Sequence, residues 1–320
     1  MALSREHADL LFFRLTSGDR AALGQALTLV ESTLPGHQDA VAHLLDACLS
    51  RESRPIRLAV TGLPGAGKST LIDRLGMKWI AEGRRVAVLA IDPSSIRTGG
   101  SILGDKTRME QLSVAPHAFV RPTPTSGMLG GIAGSTREAM LVCAAAGYDV
   151  IIIETVGIGQ SETAVAELVE CVLVVTLAGG GDGLQGIKRG ILEVADIVAV
   201  NKADGSNTKP AETSARELRE SLHLLRPGQD VPVMPVSATS GYGLDTLFRS
   251  LGDRLVGLPV QSWSTPGDMF LGAVRRALDA ALASDGTLHD ALARARTAAD
   301  AAGTGPWEAA LEFVRSLTPR

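Results

Sequence analysis

The sequence predicts an α/β protein built on a doubly wound, mostly parallel sheet. Three observations lead there. Seven short apolar, β-branched runs recur along the chain: Ile56–Val60, Val86–Ile91, Ala118–Val120, Val150–Ile153, Val172–Leu177, Ile197–Val200 and Val233–Val236. These runs are near-continuously hydrophobic rather than alternating, as in strands buried on both faces. Stretches with helical spacing separate them, and strand–helix repetition of this kind builds parallel sheets in which ligands bind beyond the carboxyl ends of the strands.

Taken in order, residues 1–54 form a helical N-terminal extension of two or three amphipathic helices. Ser17-Gly18-Asp19 supplies a cap and Pro35-Gly36 a break. Residues 55–258 hold the seven strands, beginning with Ile56–Val60 followed by a helix over Ser69–Glu82. Residues 259–320 form a helical C-terminal extension. Helical patterns cover Pro266–Ala283, Thr287–Ala302 and Pro306–Leu317, with breaks at Asp285-Gly286 and Gly303–Pro306. Such additions either pack on the core or make an oligomerisation arm, and a homodimer is one outcome.

Composition narrows the function classes. The 320 residues are 45% hydrophobic and 21% charged, with a net charge of −4. That balance offers no electrostatic case for nucleic acid or an anionic membrane. No apolar run reaches transmembrane length and the N-terminus lacks a signal-peptide core, so a cytoplasmic protein is expected. Cys48, Cys143 and Cys171 lie in apolar surroundings without paired spacing, as reduced core residues do, and the six histidines form no zinc-type cluster. Only six of the 31 basic residues are lysine, and Lys68, Lys106, Lys188 and Lys202 all fall inside motifs. Lysine is retained where a compact point charge is not replaceable by a guanidinium fork.

The first motif is Gly62-Leu-Pro-Gly-Ala-Gly-Lys-Ser69, between a strand and a helix. Glycines let backbone N–H groups curl around a polyphosphate at a helix N-terminus. Gly65, Ala66, Gly67, Lys68, Ser69 and Thr70 are therefore candidate phosphate contacts, with Lys68 reaching the β- and γ-phosphates and Ser69 offering a hydroxyl to Mg²⁺. The second is Asn201-Lys202-Ala203-Asp204 after a strand. An Asp204 carboxylate can accept from the N1–H and N2–H₂ of guanine, donors that adenine lacks, and the stem of Lys202 can cover the base. Ser237-Ala238 resembles a second base contact, in which a backbone N–H meets O6. Together the two motifs specify a P-loop GTPase core that takes GTP and GDP.

Further carboxylates sit at strand ends. Asp92, in Ile91-Asp-Pro-Ser-Ser95, and Asp105, after a glycine-rich stretch, are candidate Mg²⁺ ligands with Ser69. Glu154 ends the strand Val150–Ile153 and stands where an acid contacts the metal. Gly157, three residues on, is placed to donate an N–H to a γ-phosphate. Glu154, Asp105 and Lys68 are candidate catalytic groups. Gln160 either orients water or is a surface glutamine.

Several longer runs carry a resemblance. They are Asp92-Pro-Ser-Ser with Thr98–Met109, Arg121–Gly127, Glu154–Glu162, and Ala178-Gly-Gly-Gly-Asp-Gly-Leu-Gln-Gly-Ile-Lys-Arg-Gly190. Over roughly residues 15–255 the chain resembles the MeaB/ArgK family, GTPases that accompany adenosylcobalamin-dependent acyl-CoA mutases. The resemblance implies a metallochaperone that gates cofactor loading of a mutase such as methylmalonyl-CoA mutase and protects it. Adenosylcobalamin would be met only through that partner. It also implies a third switch over Ala178–Lys188, in which Lys188 stabilises transition-state charge. Two departures stand out: Gly183 replaces an acid usual in the family, and the tail from about Trp263 lacks its Arg/Gln/Trp-rich arm. The alternatives are a GTP-dependent phosphotransferase, for which no dedicated base is evident, and a GTP-binding interaction protein with negligible hydrolysis. A nickel chaperone is disfavoured by the absence of a His-rich tract.

Overall fold

A computed structural model describes residues 3–32, 34–51, 53–92, 109–124, 129–155, 165–178 and 189–256, with residues 274, 290, 291, 294 and 297 in the tail. The predicted tail helices lie almost wholly outside the described residues.

The seven predicted runs are the seven strands: β1 (Ile56–Gly62), β2 (Val86–Asp92), β3 (Ala118–Pro124), β4 (Val150–Thr155), β5 (Cys171–Leu177), β6 (Ile197–Asn201) and β7 (Val233–Pro235). They form one sheet in the order β3-β2-β4-β1-β5-β6-β7. Every pairing is parallel, so the sheet is fully rather than mostly parallel. Chain order reverses direction across the sheet at β1, which places the loop after β1 over the crevice expected to bind ligands.

Alternate residues of each strand supply two apolar layers. Leu58, Val60, Val88, Ile152, Leu173 and Val175 face one side, where Leu71, Ile72, Leu75 and Trp79 of α4 (Lys68–Ala81) and Leu247 and Leu251 of α9 (Leu244–Val256) cover them. Ala59, Leu89, Ile151, Ile153, Val174 and Val200 face the other. That second layer is continuous with α6 (Leu129–Ala145) and with Ala211, Ala215, Leu218 and Leu222 of α8 (Thr208–Leu225). Burial on both faces explains the unbroken hydrophobicity of the strands.

The N-terminal extension folds as α1 (Arg5–Thr16), α2 (Arg20–Val30) and α3 (Gln38–Leu49). Asp19 caps α2, its Oδ1 accepting from the N–H groups of Ala21 at 2.8 Å and Ala22 at 3.1 Å. A 3₁₀ turn at Pro35–His37 separates α2 from α3. Leu11, Leu15, Leu23, Leu27, Val41 and Leu44 join the same core layer as α6, so the extension covers the sheet side opposite α4. Arg121 of β3 fastens it further, reaching Glu31 and the Gly24 carbonyl of α2. Cys48, Cys143 and Cys171 are buried free thiols, each pushed up to about 12 by desolvation.

Two short helices complete the described set, α5 (Glu110–Val114) and α7 (Arg189–Glu193). Among the described residues no helix is long and apolar enough to cross a membrane.

One ion pair sits at the amino end of the sheet. Arg57 Nε donates to Glu170 Oε1 at 2.8 Å and its backbone N–H to Oε2 at 2.9 Å, with both side chains over 90% buried. Removing the Glu170 carboxylate takes the opposite charge from a buried guanidinium. Glu170→Ala is therefore expected to cost about 3–5 kcal/mol, read as a lower urea midpoint at unchanged slope.

Candidate functional site

The phosphate loop begins where β1 ends, and its backbone leaves no choice of residue at two points. Gly62 has φ +130°, and a Cβ there would lie 1.9 Å from the Val175 carbonyl oxygen on β5. Gly67 has φ +84°, and a Cβ there would lie 2.6 Å from Asn201 Nδ2. Gly67 is also the residue from which α4 starts, so the predicted helix begins at Lys68, one residue early. Lys68 Nζ folds over the loop and donates to the carbonyls of Gly62 and Leu63, both at 3.1 Å. The ammonium is thus held at the mouth of the loop, on the strand-end side of the sheet.

Ser69 and Glu154, both candidate metal ligands, meet here. The Ser69 hydroxyl donates to Glu154 Oε1 at 2.8 Å, and the two are only 7% and 8% exposed. Sheet register explains it: Glu154 pairs beside Val60, which turns its side chain to the α4 face. A hydroxyl and a carboxylate form a hard oxygen donor set of the kind Mg²⁺ takes, so these residues fit that ion. Asp92 ends β2, whose register pairs Ile91 with Thr155 of β4, placing its backbone beside this corner. The side chain of Asp92 and all of Asp105, Gly157, Gln160, Gly183 and Lys188 lie outside the described residues. The chain re-enters at α5, which Asp73 of α4 anchors by accepting from Leu112 N–H at 2.8 Å.

The second motif converges on the same loop from β6. Asn201 is 2% exposed. Its Nδ2 donates to the Ala66 carbonyl at 2.7 Å, and its Oδ1 accepts from Ala238 N–H at 3.1 Å. One amide therefore joins the phosphate loop to the loop after β7. Within the Ser237-Ala238 run, where a backbone N–H is expected to meet O6, the Ala238 N–H is engaged by Asn201 in this structure. Lys202 follows with φ +62°, the one positive φ on a non-glycine among the described residues, and that left-handed step lets Asp204 turn back. Asp204 then accepts on Oδ2 from the Ser237 hydroxyl, and from Thr239 Oγ1 at 2.9 Å. Those two bonds, helped by the Lys202 charge, hold its carboxyl below the usual aspartate value. It stays ionised, an acceptor only.

Two residues at this junction carry no motif signal. Arg74, on α4, donates to the carbonyls of Ala238 at 3.0 Å and Thr239 at 3.2 Å. Thr239 itself follows Ser237-Ala238 in sequence, and only its position as the next hydroxyl hinted at a role.

The sheet order, the glycine-rich loop feeding α4, and Asn201 tying that loop to the Asp204 corner define a P-loop nucleotide-binding protein. The comparisons go further. The family model for methylmalonyl-CoA mutase-associated GTPase MeaB matches residues 23–255. A Caulobacter vibrioides relative is 55% identical over 246 residues, spanning 76% of this chain and 75% of that one. GTPase ArgK of Escherichia coli is 51% identical over 243 residues, spanning 75% and 73%. The mitochondrial methylmalonic aciduria type A homolog of Mus musculus is 44% identical over 256 residues, spanning 76% and 62%. The solved structure of a LAO/AO transport system kinase superposes with a TM-score of 0.68 at 32% identity, covering 99% of both chains. The chain belongs to the MeaB/ArgK family, and it is a GTPase.

Gly67→Ala tests the junction. Strain at the left-handed φ is expected to cost about 1–3 kcal/mol, and displacement of Asn201 should weaken GDP binding measured by calorimetry. Undiminished affinity in a folded variant would contradict the coupling of the two loops.

Proposed function

We propose that this GTPase is a metallochaperone that gates adenosylcobalamin loading, and protection, of a cobalamin-dependent acyl-CoA mutase such as methylmalonyl-CoA mutase. The observation that carries the reading is the family match over residues 23–255, supported by relatives named for methylmalonic aciduria type A. The protein would work in the cytoplasm and meet the cobalamin only through the mutase.

Within that reading, Gly65, Ala66, Gly67, Lys68, Ser69 and Thr70 hold the phosphates. Asn201, Lys202, Asp204, Ser237 and Ala238 form the guanine pocket. Lys68, already held over the loop by two carbonyls, needs only a short swing to exchange them for phosphate oxygens. Ser69 and Glu154, with Asp92 and Asp105, would hold Mg²⁺, which when bound supplies positive charge against the phosphates. Water attacks the γ-phosphate in line, and catalysis rests on positioning and on charge stabilisation by Lys68. Gly157 N–H would report the γ-phosphate, and Lys188 would add charge once a partner is bound.

The test is GTP turnover by the purified protein, alone and with candidate mutases in apo and holo forms. Slow basal hydrolysis, raised at least several-fold by one mutase, is expected. If no mutase changes turnover, the chaperone reading falls and a GTPase of another role remains. Lys68→Ala should abolish turnover and phosphate-dependent binding. Lys188→Ala should remove the mutase-stimulated part and leave basal hydrolysis; intact stimulation would exclude Lys188 from the chemistry.

A further inference from the structure

The loop after β7 carries one hydroxyl more than the motifs call for. Ser237 is fully buried and fixed on three sides. Its N–H donates to the Tyr242 carbonyl at 2.8 Å, its Oγ accepts from Ser240 N–H at 3.0 Å, and the same Oγ donates to Asp204 Oδ2. Thr239 Oγ1 lies 2.9 Å from the same Oδ2 and 3.0 Å from Ser237 Oγ. An ionised carboxylate has no proton to give, so both hydroxyls donate to it. Both bonds fall on Oδ2, and among the described residues no protein donor meets Oδ1.

Two donors on one oxygen fix the torsion of a carboxylate that would otherwise turn freely, because the last torsion of aspartate is broad. Thr239 is in turn fixed by its backbone. Arg74 takes the carbonyls of Ala238 and Thr239, and Asn201 takes the Ala238 N–H. The orientation of Asp204 is thereby tied to α4, the helix that starts at the phosphate loop.

We propose that Thr239 is a positioning residue for guanine-nucleotide retention: with Ser237 it clamps the Asp204 carboxylate in the orientation that receives the base edge. This rests on the reading of Asp204 as the guanine acceptor. Without the clamp the carboxylate must be ordered at the moment of binding, and that cost is returned as faster release. Affinity differences of this kind fall mainly on dissociation.

The experiment is displacement of fluorescent GDP and of the matching IDP, whose hypoxanthine base lacks the exocyclic N2 amino group. Thr239→Val keeps shape and removes the hydroxyl. It is expected to speed GDP release about tenfold, the lower end for a hydrogen bond to a charged group. It should also shrink the residence advantage of GDP over IDP, while Thr239→Ser restores both. Thr239 is exposed, so the valine variant should unfold at a temperature close to that of the parent. Unchanged or slower GDP release, or equal acceleration of GDP and IDP, overturns the proposal. Asp204→Asn separates the two layers. If it removes the GDP advantage and Thr239→Val does not, the clamp alone is wrong. If it leaves that advantage intact, Asp204 does not read the base and the clamp falls with it.

Discussion

A single buried amide holds the two halves of this site in register. Asn201 donates to the carbonyl of Ala66 in the phosphate loop and accepts from the N–H of Ala238 in the loop after β7. An amide carries both a donor and an acceptor on one rigid plane, so it can link a carbonyl to an N–H at a fixed separation. Leaving either group unpaired in this dry corner would cost the desolvation of a buried polar atom, about 1–3 kcal/mol. The geometry leaves no room beside it. Gly67 is required because a Cβ would press on Asn201 Nδ2, and its left-handed φ then sets where α4 begins.

From that junction the charges follow in order along the carboxyl ends of the strands. Lys68 lies over the loop on β1, Ser69 and Glu154 pair at the end of β4, and Asp204 stands beyond β6. Neutral donors and acceptors make close hydrogen bonds to each of them. Lys68 rests on two carbonyls and Asp204 on two hydroxyls. Groups held this way stay charged and exchange partners at modest cost, which suits a site that must take up and release a highly charged ligand. A buried ion pair lies elsewhere: Arg57–Glu170 sits at the opposite end of the sheet, where it fastens β1 to the approach to β5.

The strands were legible because the sheet is covered on both faces. A strand with α4 on one side and α6 or α8 on the other has no polar face, and Val-Leu-Val-Val in β5 or Ile-Ile-Ile in β4 can then be little else. The phosphate loop and the Asn201–Asp204 run were legible for a different reason. Each packs its chemistry into consecutive residues, so local spacing carries it. Ser69 and Glu154 were harder, being 85 residues apart, yet each stood at the end of its own strand–helix signal. Arg74 and Thr239 left almost no trace. Their partners are backbone carbonyls and a carboxylate reached across the molecule, 164 residues away for Arg74, and an arginine on a helix face looks like any solvated charge.

By itself the sequence determined the strands, the helix that follows the loop, the two nucleotide motifs and the family resemblance. These depend on interactions between near neighbours: backbone sterics at glycine, β-branched packing and helical spacing. Tertiary structure alone decided that the sheet is wholly parallel, in the order β3-β2-β4-β1-β5-β6-β7. It also decided that the N-terminal helices share the core layer of α6, and that Asn201, Arg74 and Thr239 bind the two loops into one site. The physical reason is that such contacts join groups distant along the chain. Their energies depend on which strand lies beside which, and no local pattern encodes that adjacency.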